Sequence, residues 1–268
     1  MLYYKTYPHS SSAEWVVFIH GAGGSSSIWY KQIKDYTLNF NVLMVDLRGH
    51  GKSQDSSRPY EEYSFNEICQ DVVEVMDEAR IKAAHFVGIS LGTILIRNLY
   101  EMVPHRVKSM ILGGAIMRLN LRAKVLSAFG DWFKTLMPYI WLYGLFAWII
   151  MPRKRHKQSR LLFVNEAKRL CQKEFIHWYR LIHEVNPLLR YFAEEKSDVP
   201  ILYVMGDEDH MFLPFIKKLT PTQPNAKLEV LKDSGHVCNV DQAEAFNAVS
   251  IRFIHDVSVE AKRLEILV

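Results

Sequence analysis

His85-Phe86-Val87-Gly88-Ile89-Ser90-Leu91-Gly92-Thr93 is the stretch on which the fold turns. Apolar, β-favouring residues lead into Gly88, and a helix-like run follows over residues 93–103. In that strand–turn–helix setting, a Gly-x-Ser-x-Gly pentapeptide projects its serine from a sharp turn. The turn is expected to hold Ser90 at φ > 0. The flanking glycines remove β-carbons that would obstruct close packing of strand against helix. Ser90 would then stand at a helix N-terminus, where unpaired N–H groups and the helix dipole favour negative charge.

Three other places corroborate this stretch. Upstream, Trp15-Val16-Val17-Phe18-Ile19 has the composition of a fully buried strand and runs into His20-Gly21-Ala22-Gly23-Gly24. Such a turn presents backbone N–H groups without side-chain obstruction, so those of Ala22 and Leu91 could together form an oxyanion hole. Downstream, Pro200-Ile201-Leu202-Tyr203-Val204-Met205 ends in Gly206-Asp207-Glu208-Asp209. Later, Leu228-Glu229-Val230-Leu231 ends in Asp233-Ser234-Gly235-His236. An acid after one strand and a histidine after the next complete the chain order Ser, Asp, His.

Together these motifs resemble those of α/β-hydrolase superfamily serine hydrolases. The resemblance extends to Asp46-Leu47-Arg48-Gly49-His50-Gly51-Lys52-Ser53, the turn after the next strand, and to residues 206–214 as the acid loop. It implies catalytic roles for Ser90 as nucleophile, His236 as base and Asp209 as the acid that orients it, with Ala22 and Leu91 as oxyanion donors. Asp207 and Glu208 compete with Asp209 for that role. An acid placed instead after the strand ending near Gly113 is disfavoured, because no carboxylate occurs between Glu101 and Asp131. Serine rather than aspartate at the turn argues against an alkyl-enzyme mechanism. His20 and His50 are expected to be hydrogen-bonding scaffold, Asp46 and Arg48 to brace their turn, and His85 to pack in its strand.

Strands alternating with amphipathic helices imply an α/β fold with a mostly parallel central sheet and helices on both faces. Residues 42–46 read as a buried strand, 107–112 as another, and 242–254 as a closing helix. Phe65, Ile68, Cys69, Val72, Val73 and Met76 recur at helical spacing, which predicts a helix over 64–80. The chain offers one strand-like run, residues 2–7, ahead of the oxyanion strand, fewer than many relatives have. Its apolar content of 49% and charged content of 23% are those of a globular chain.

Between residues 114 and 199 the alternation stops. The expectation is an α/β-hydrolase core of residues 1–117 and 199–268, with 118–198 inserted as a helical cap. The insertion carries 15 Lys/Arg against 7 Asp/Glu, a net of +8, whereas the whole chain is +4. Residues 135–152 lack any charged side chain, and Arg153-Lys154-Arg155-His156-Lys157 follows at once. The favoured reading is an apolar cap helix lining an acyl pocket. Docking of residues 132–157 on an anionic membrane surface is the second. A membrane-spanning helix is the least favoured, since Pro138, Gly144 and Pro152 suggest shorter helices.

The expected activity is hydrolysis of a moderately hydrophobic carboxylic ester through an acyl-enzyme. The resemblance leaves open carbon–carbon bond hydrolysis, thioester cleavage, acyl transfer, perhydrolysis and a non-catalytic ligand receptor. No cofactor, metal or nucleic-acid partner is expected, and oligomeric state is left undetermined. Met1-Leu2-Tyr3-Tyr4-Lys5 lacks signal-peptide character, and Cys69, Cys171 and Cys238 are odd in number and widely spaced, so a reducing cytoplasmic setting is expected. Cys238 is read as a packing residue.

Overall fold

The computed structural model describes residues 1–54, 63–120, 125, 126, 128, 130, 132 and 137–267. Asp131 and the first two residues of the uncharged stretch 135–152 lie outside the described residues.

Seven strands form one sheet: β1 (Tyr4–Tyr7), β2 (Trp15–Ile19), β3 (Asn41–Val45), β4 (Ala84–Ile89), β5 (Val107–Gly113), β6 (Ile201–Gly206) and β7 (Ala226–Leu231). They are ordered β1-β3-β2-β4-β5-β6-β7. Only β1 runs antiparallel, pairing Tyr4 with Val45; the rest are parallel. β1 is the single run expected before the oxyanion strand, and it closes that edge.

Consecutive residues of the central strands enter two different cores. Val17 and Phe86 pack on one side of the sheet; Val16, Phe18 and Val87 pack on the other. Both faces are therefore covered by helices, and the central strands read as unbroken apolar runs. β7, at the far edge, instead alternates half-buried and exposed positions.

The helices that flank the site follow from local signals. α1 (Ile33–Thr37) and α2 (Phe65–Glu78) precede the central turn. The Ser64 hydroxyl caps α2 by accepting from Glu67 N–H at 3.1 Å. α3 (Leu91–Met102) starts directly after Ser90. Between β5 and β6 the described insertion contains α4 (Tyr139–Ile150), α5 (Lys157–Ala167), α6 (Gln172–Arg180) and α7 (Ile182–Glu194). α8 (Leu213–Leu219), the single turn α9 (Cys238–Asp241) and α10 (Ala243–Leu267) complete the core.

Two expectations need correction. α10 continues 13 residues past Ile254, where apolar periodicity ends, because Val-Glu-Ala-Lys-Arg-Leu-Glu continues it with mostly strong helix formers. Gly144 does not divide the uncharged stretch. Pro138 and Pro152 bound one 12-residue helix, and nothing lies within 4 Å of where a Gly144 β-carbon would sit. At about 18 Å, that helix falls far short of a ~30 Å hydrocarbon layer. Among the described residues, no helix is long and apolar enough to cross a membrane.

The elbow glycines are required by contact. A β-carbon on Gly92 would lie 2.4 Å from the Ile19 carbonyl oxygen and 2.8 Å from that of His20. One on Gly88 would lie 2.6 Å from Ile96 Cδ1 and 2.9 Å from the Gly92 carbonyl carbon. β2, β4 and α3 thus meet backbone to backbone around Ser90. Gly92→Ala should cost about 2–3 kcal/mol, in the upper range of overpacking a buried site, and lower Tm by roughly 5–10 °C. A melting curve unchanged from wild type would show that this contact is slack.

Candidate functional site

Ser90 adopts φ 55° and ψ −121°, one of three described non-glycine residues at positive φ. Its N–H donates to the Gly113 carbonyl at 3.0 Å, and its carbonyl accepts from Thr93 N–H at 2.9 Å. The Thr93 hydroxyl donates to that same oxygen at 2.6 Å. These bonds hold a conformation that a serine avoids by itself.

His236 follows β7 and reaches the serine across the sheet's C-terminal edge. Its Nε2 lies 2.9 Å from Ser90 Oγ, and its Nδ1 lies 2.8 Å from Asp209 Oδ2. An ionised carboxylate only accepts, so Nδ1 carries the proton and Nε2 is left to accept from the serine hydroxyl. Asp209 Oδ1 accepts from the N–H groups of Met211 and Phe212, at 3.2 and 3.0 Å. The carboxylate is therefore fixed before it meets the imidazole. Asp209 and His236 are both buried, and the Phe212 ring packs on the imidazole with centroids 5.0 Å apart.

The neighbouring acids point elsewhere. Asp207 accepts from Ser234 N–H at 3.3 Å. Glu208 faces the insertion, where Arg153 Nη1 lies 2.8 Å from its Oε1. His156 Nε2 lies 2.8 Å from its Oε2, an ion-pair separation without an aligned N–H. Arg155 pairs with Asp233. Arg153 and Arg155 thus clasp the loops carrying Asp209 and His236, with His156 buried beside Glu208. Sequence offered no signal for this, because the partners lie more than 50 residues away.

Ala22 and Leu91 flank Ser90 on the wall of one cavity of about 250 Å³. The turn bearing Ala22 is held from below by two buried histidines. His20 Nδ1–H donates to the Gly21 carbonyl at 2.8 Å, and its Nε2 accepts from Leu47 N–H at 3.0 Å. His50 Nδ1–H donates to the Arg48 carbonyl at 3.0 Å, and its Nε2 accepts from Gly23 N–H at 3.0 Å. Asp46 accepts from Ser26 and Lys52 N–H groups, while Arg48 Nε donates to Asp71. His85 is buried beside Ser109. Cys238 is a buried free cysteine, and burial pushes its thiol up to about 12.

The insertion supplies one apolar side of the cavity, facing core residues such as Ile28, Ile94 and Phe212. Tyr143, Phe146 and Ile150 of α4 line it, with Leu162 and Phe163 of α5 and Trp178 of α6. Glu166 also reaches this wall, accepting from the Ser25 hydroxyl at 2.5 Å. Tyr143 and Phe146 stand out in the sequence as aromatics of the uncharged stretch, whereas Leu162, Phe163, Glu166 and Trp178 carry no signal of their own.

Burial lowers both histidine pKa values, that of His50 to about 3. The folded protein therefore refuses protons that the unfolded chain takes up below about pH 6.5. Stability should fall as pH drops from 6.5 toward 3, with a slope approaching 1.4 kcal/mol per pH unit for His50 alone. Urea unfolding between pH 7 and 4.5 measures the slope, and His50→Asn should flatten it. Equal slopes in both proteins would overturn this account of the turn.

Comparison with known proteins identifies the family. Residues 16–249 match the alpha/beta hydrolase family. "Putative carbamate hydrolase RutD" of Acinetobacter baylyi is 25% identical, over 94% of this chain and 97% of that protein. "Uncharacterized carboxylesterase nap" of Bacillus subtilis is 23% identical, over 90% of this chain and 79% of that protein. The crystal structure of the enol-lactonase from Burkholderia xenovorans LB400 superposes with a TM-score of 0.77 at 21% identity, covering 95% of this chain and 96% of that one. The chain is a hydrolase of the alpha/beta hydrolase family.

Proposed function

We propose that this protein is a serine hydrolase that cleaves carboxylic esters of a moderately hydrophobic acyl group. The observation that carries this reading is the hydrogen-bonded relay of Ser90, His236 and Asp209 opening into an apolar cavity. In this reading, residues 118–198 are a cap over the core formed by 1–117 and 199–268.

Ser90 Oγ bonds to the ester carbonyl carbon while its proton moves to His236 Nε2. The carbonyl oxygen takes up the electron pair, and the N–H groups of Ala22 and Leu91 stabilise it, each donor contributing about 3–4 kcal/mol. Asp209 holds the imidazole in the receptive tautomer and balances the charge it acquires. As the carbon–oxygen bond to the alcohol breaks, His236 returns the proton to the leaving oxygen. Water then repeats the sequence on the acyl-enzyme and frees the acid and Ser90.

The apolar cavity wall supports an acyl ester over the carbamate named for the RutD relative. Its roof is built from Phe146, Ile150, Leu162 and Phe163. Apolar burial contributes roughly 0.8 kcal/mol per methylene, so acyl length should raise kcat/KM severalfold per carbon until the cavity is full.

Ser90→Ala should lower kcat for p-nitrophenyl esters at least ~10⁴-fold and abolish labelling by a fluorophosphonate probe, with an unchanged circular dichroism spectrum. Wild-type-like turnover would remove the nucleophile assignment. A panel from acetate to decanoate should peak beyond acetate. A two-carbon optimum would overturn the apolar-acyl reading alone.

A further inference from the structure

Helix α4 is apolar on every side, yet only one side is used by the fold. Tyr143, Phe146 and Ile150 face the cavity. Trp141, Leu145 and Trp148, at i, i+4 and i+7, form a second stripe and are 65%, 38% and 63% exposed. Trp132, nearby in sequence, is 79% exposed. A helix hydrophobic all round belongs in an apolar surround, and among the described residues this stripe has no cover. α5 packs on α4 and exposes Lys157 and Leu161 along one side, the leucine by 52%, with exposed Lys168 just past its end.

We propose that this outer face of α4 and α5 docks on the surface of an anionic lipid bilayer. Charge supports that occupant. The segment 118–198 carries a net charge of +8, against −4 for the rest of the chain. Arg153, Arg155 and His156 are committed to Glu208 and Asp233. Lys154 and Lys157, just past the end of the tryptophan stripe, are exposed and have no ion-pair partner among the described residues. Indole rings settle at headgroup depth, and flanking ammonium groups pair with anionic lipid. A helix about 18 Å long satisfies this arrangement lying in the interface plane, not across the layer.

A second copy of the chain fits less well. A two-fold contact would oppose the same lysines to one another. The two tryptophans with Leu145 and Leu161 also expose on the order of 500 Å², below the ~800 Å² per partner of a stable interface. Because the opposite side of α4 walls the cavity, docking would set that wall at the acyl layer. This consequence rests on the ester-hydrolase reading; the docking itself does not.

The test is sedimentation with vesicles of 30% phosphatidylserine in phosphatidylcholine, compared with pure phosphatidylcholine, using the full chain and its Ser90→Ala variant. Binding should favour the anionic vesicles at least tenfold, weaken with salt, and be the same in both proteins. Trp141→Glu/Trp148→Glu should reduce binding at least tenfold. Lys154→Ala and Lys157→Ala should each reduce it about fivefold, the factor that one juxtamembrane cation is worth. Turnover of a soluble short-chain ester by these variants should match wild type, which shows that they are folded. Sedimentation with neither vesicle at low salt, equal binding to both, or a dimer dissociated by the tryptophan substitutions would each overturn the proposal. A Ser90→Ala variant that binds vesicles but retains turnover would overturn the nucleophile assignment and leave docking intact.

Discussion

The structure depends on a contact between backbones. The carbonyl oxygens of Ile19 and His20 approach Gly92 so closely that no β-carbon fits between them. That approach lets β2, β4 and α3 converge, and the convergence forces the turn at Ser90 into positive φ. The strain is local, and its support is spread across neighbouring strands through the Gly113 and Thr93 hydrogen bonds. A serine placed in this way has a fixed oxygen and a helix N-terminus behind it, so in the proposed reaction little reorganisation would remain as negative charge develops.

Preorganisation continues outward in layers. Asp209 is held by two backbone N–H groups before it meets His236. The turn of Ala22 is held by His20 and His50, both kept neutral by burial. A neutral imidazole can donate at one nitrogen and accept at the other, and each of these rings does both. The same residue type thus serves two purposes within a few ångströms: the scaffold histidines are deprived of solvent, whereas His236 borders the cavity where a reacting group would sit.

The insertion solves a different problem. It must supply an apolar wall without detaching from a core of opposite net charge, and its basic run does the second task. Arg153 and Arg155 grip Glu208 and Asp233, neighbours in sequence of Asp209 and His236. Cavity shape is thereby coupled to the loops that carry the relay. The remaining cost is an aromatic stripe on α4 facing outward, since a helix without a polar face cannot bury both sides against one domain.

The strand ends and the residues they carry were legible in the sequence because each is a local event: an apolar run, a glycine turn, then a polar residue. The chain order of serine, acid and histidine followed from those turns, and the family resemblance attached roles to Ser90, Asp209, His236, Ala22 and Leu91. Which of Asp207, Glu208 and Asp209 faces the imidazole was decided by the tertiary structure, because adjacent residues on a turn point in different directions and only packing against β7 and α5 selects among them. The length of α10 lay beyond sequence periodicity, because past Ile254 helix propensity rather than an apolar period carries it on. The division of α4 into an inner and an outer face also lay beyond it: a helix apolar all round has no amphipathic period to read, and only its neighbours in space assign its sides.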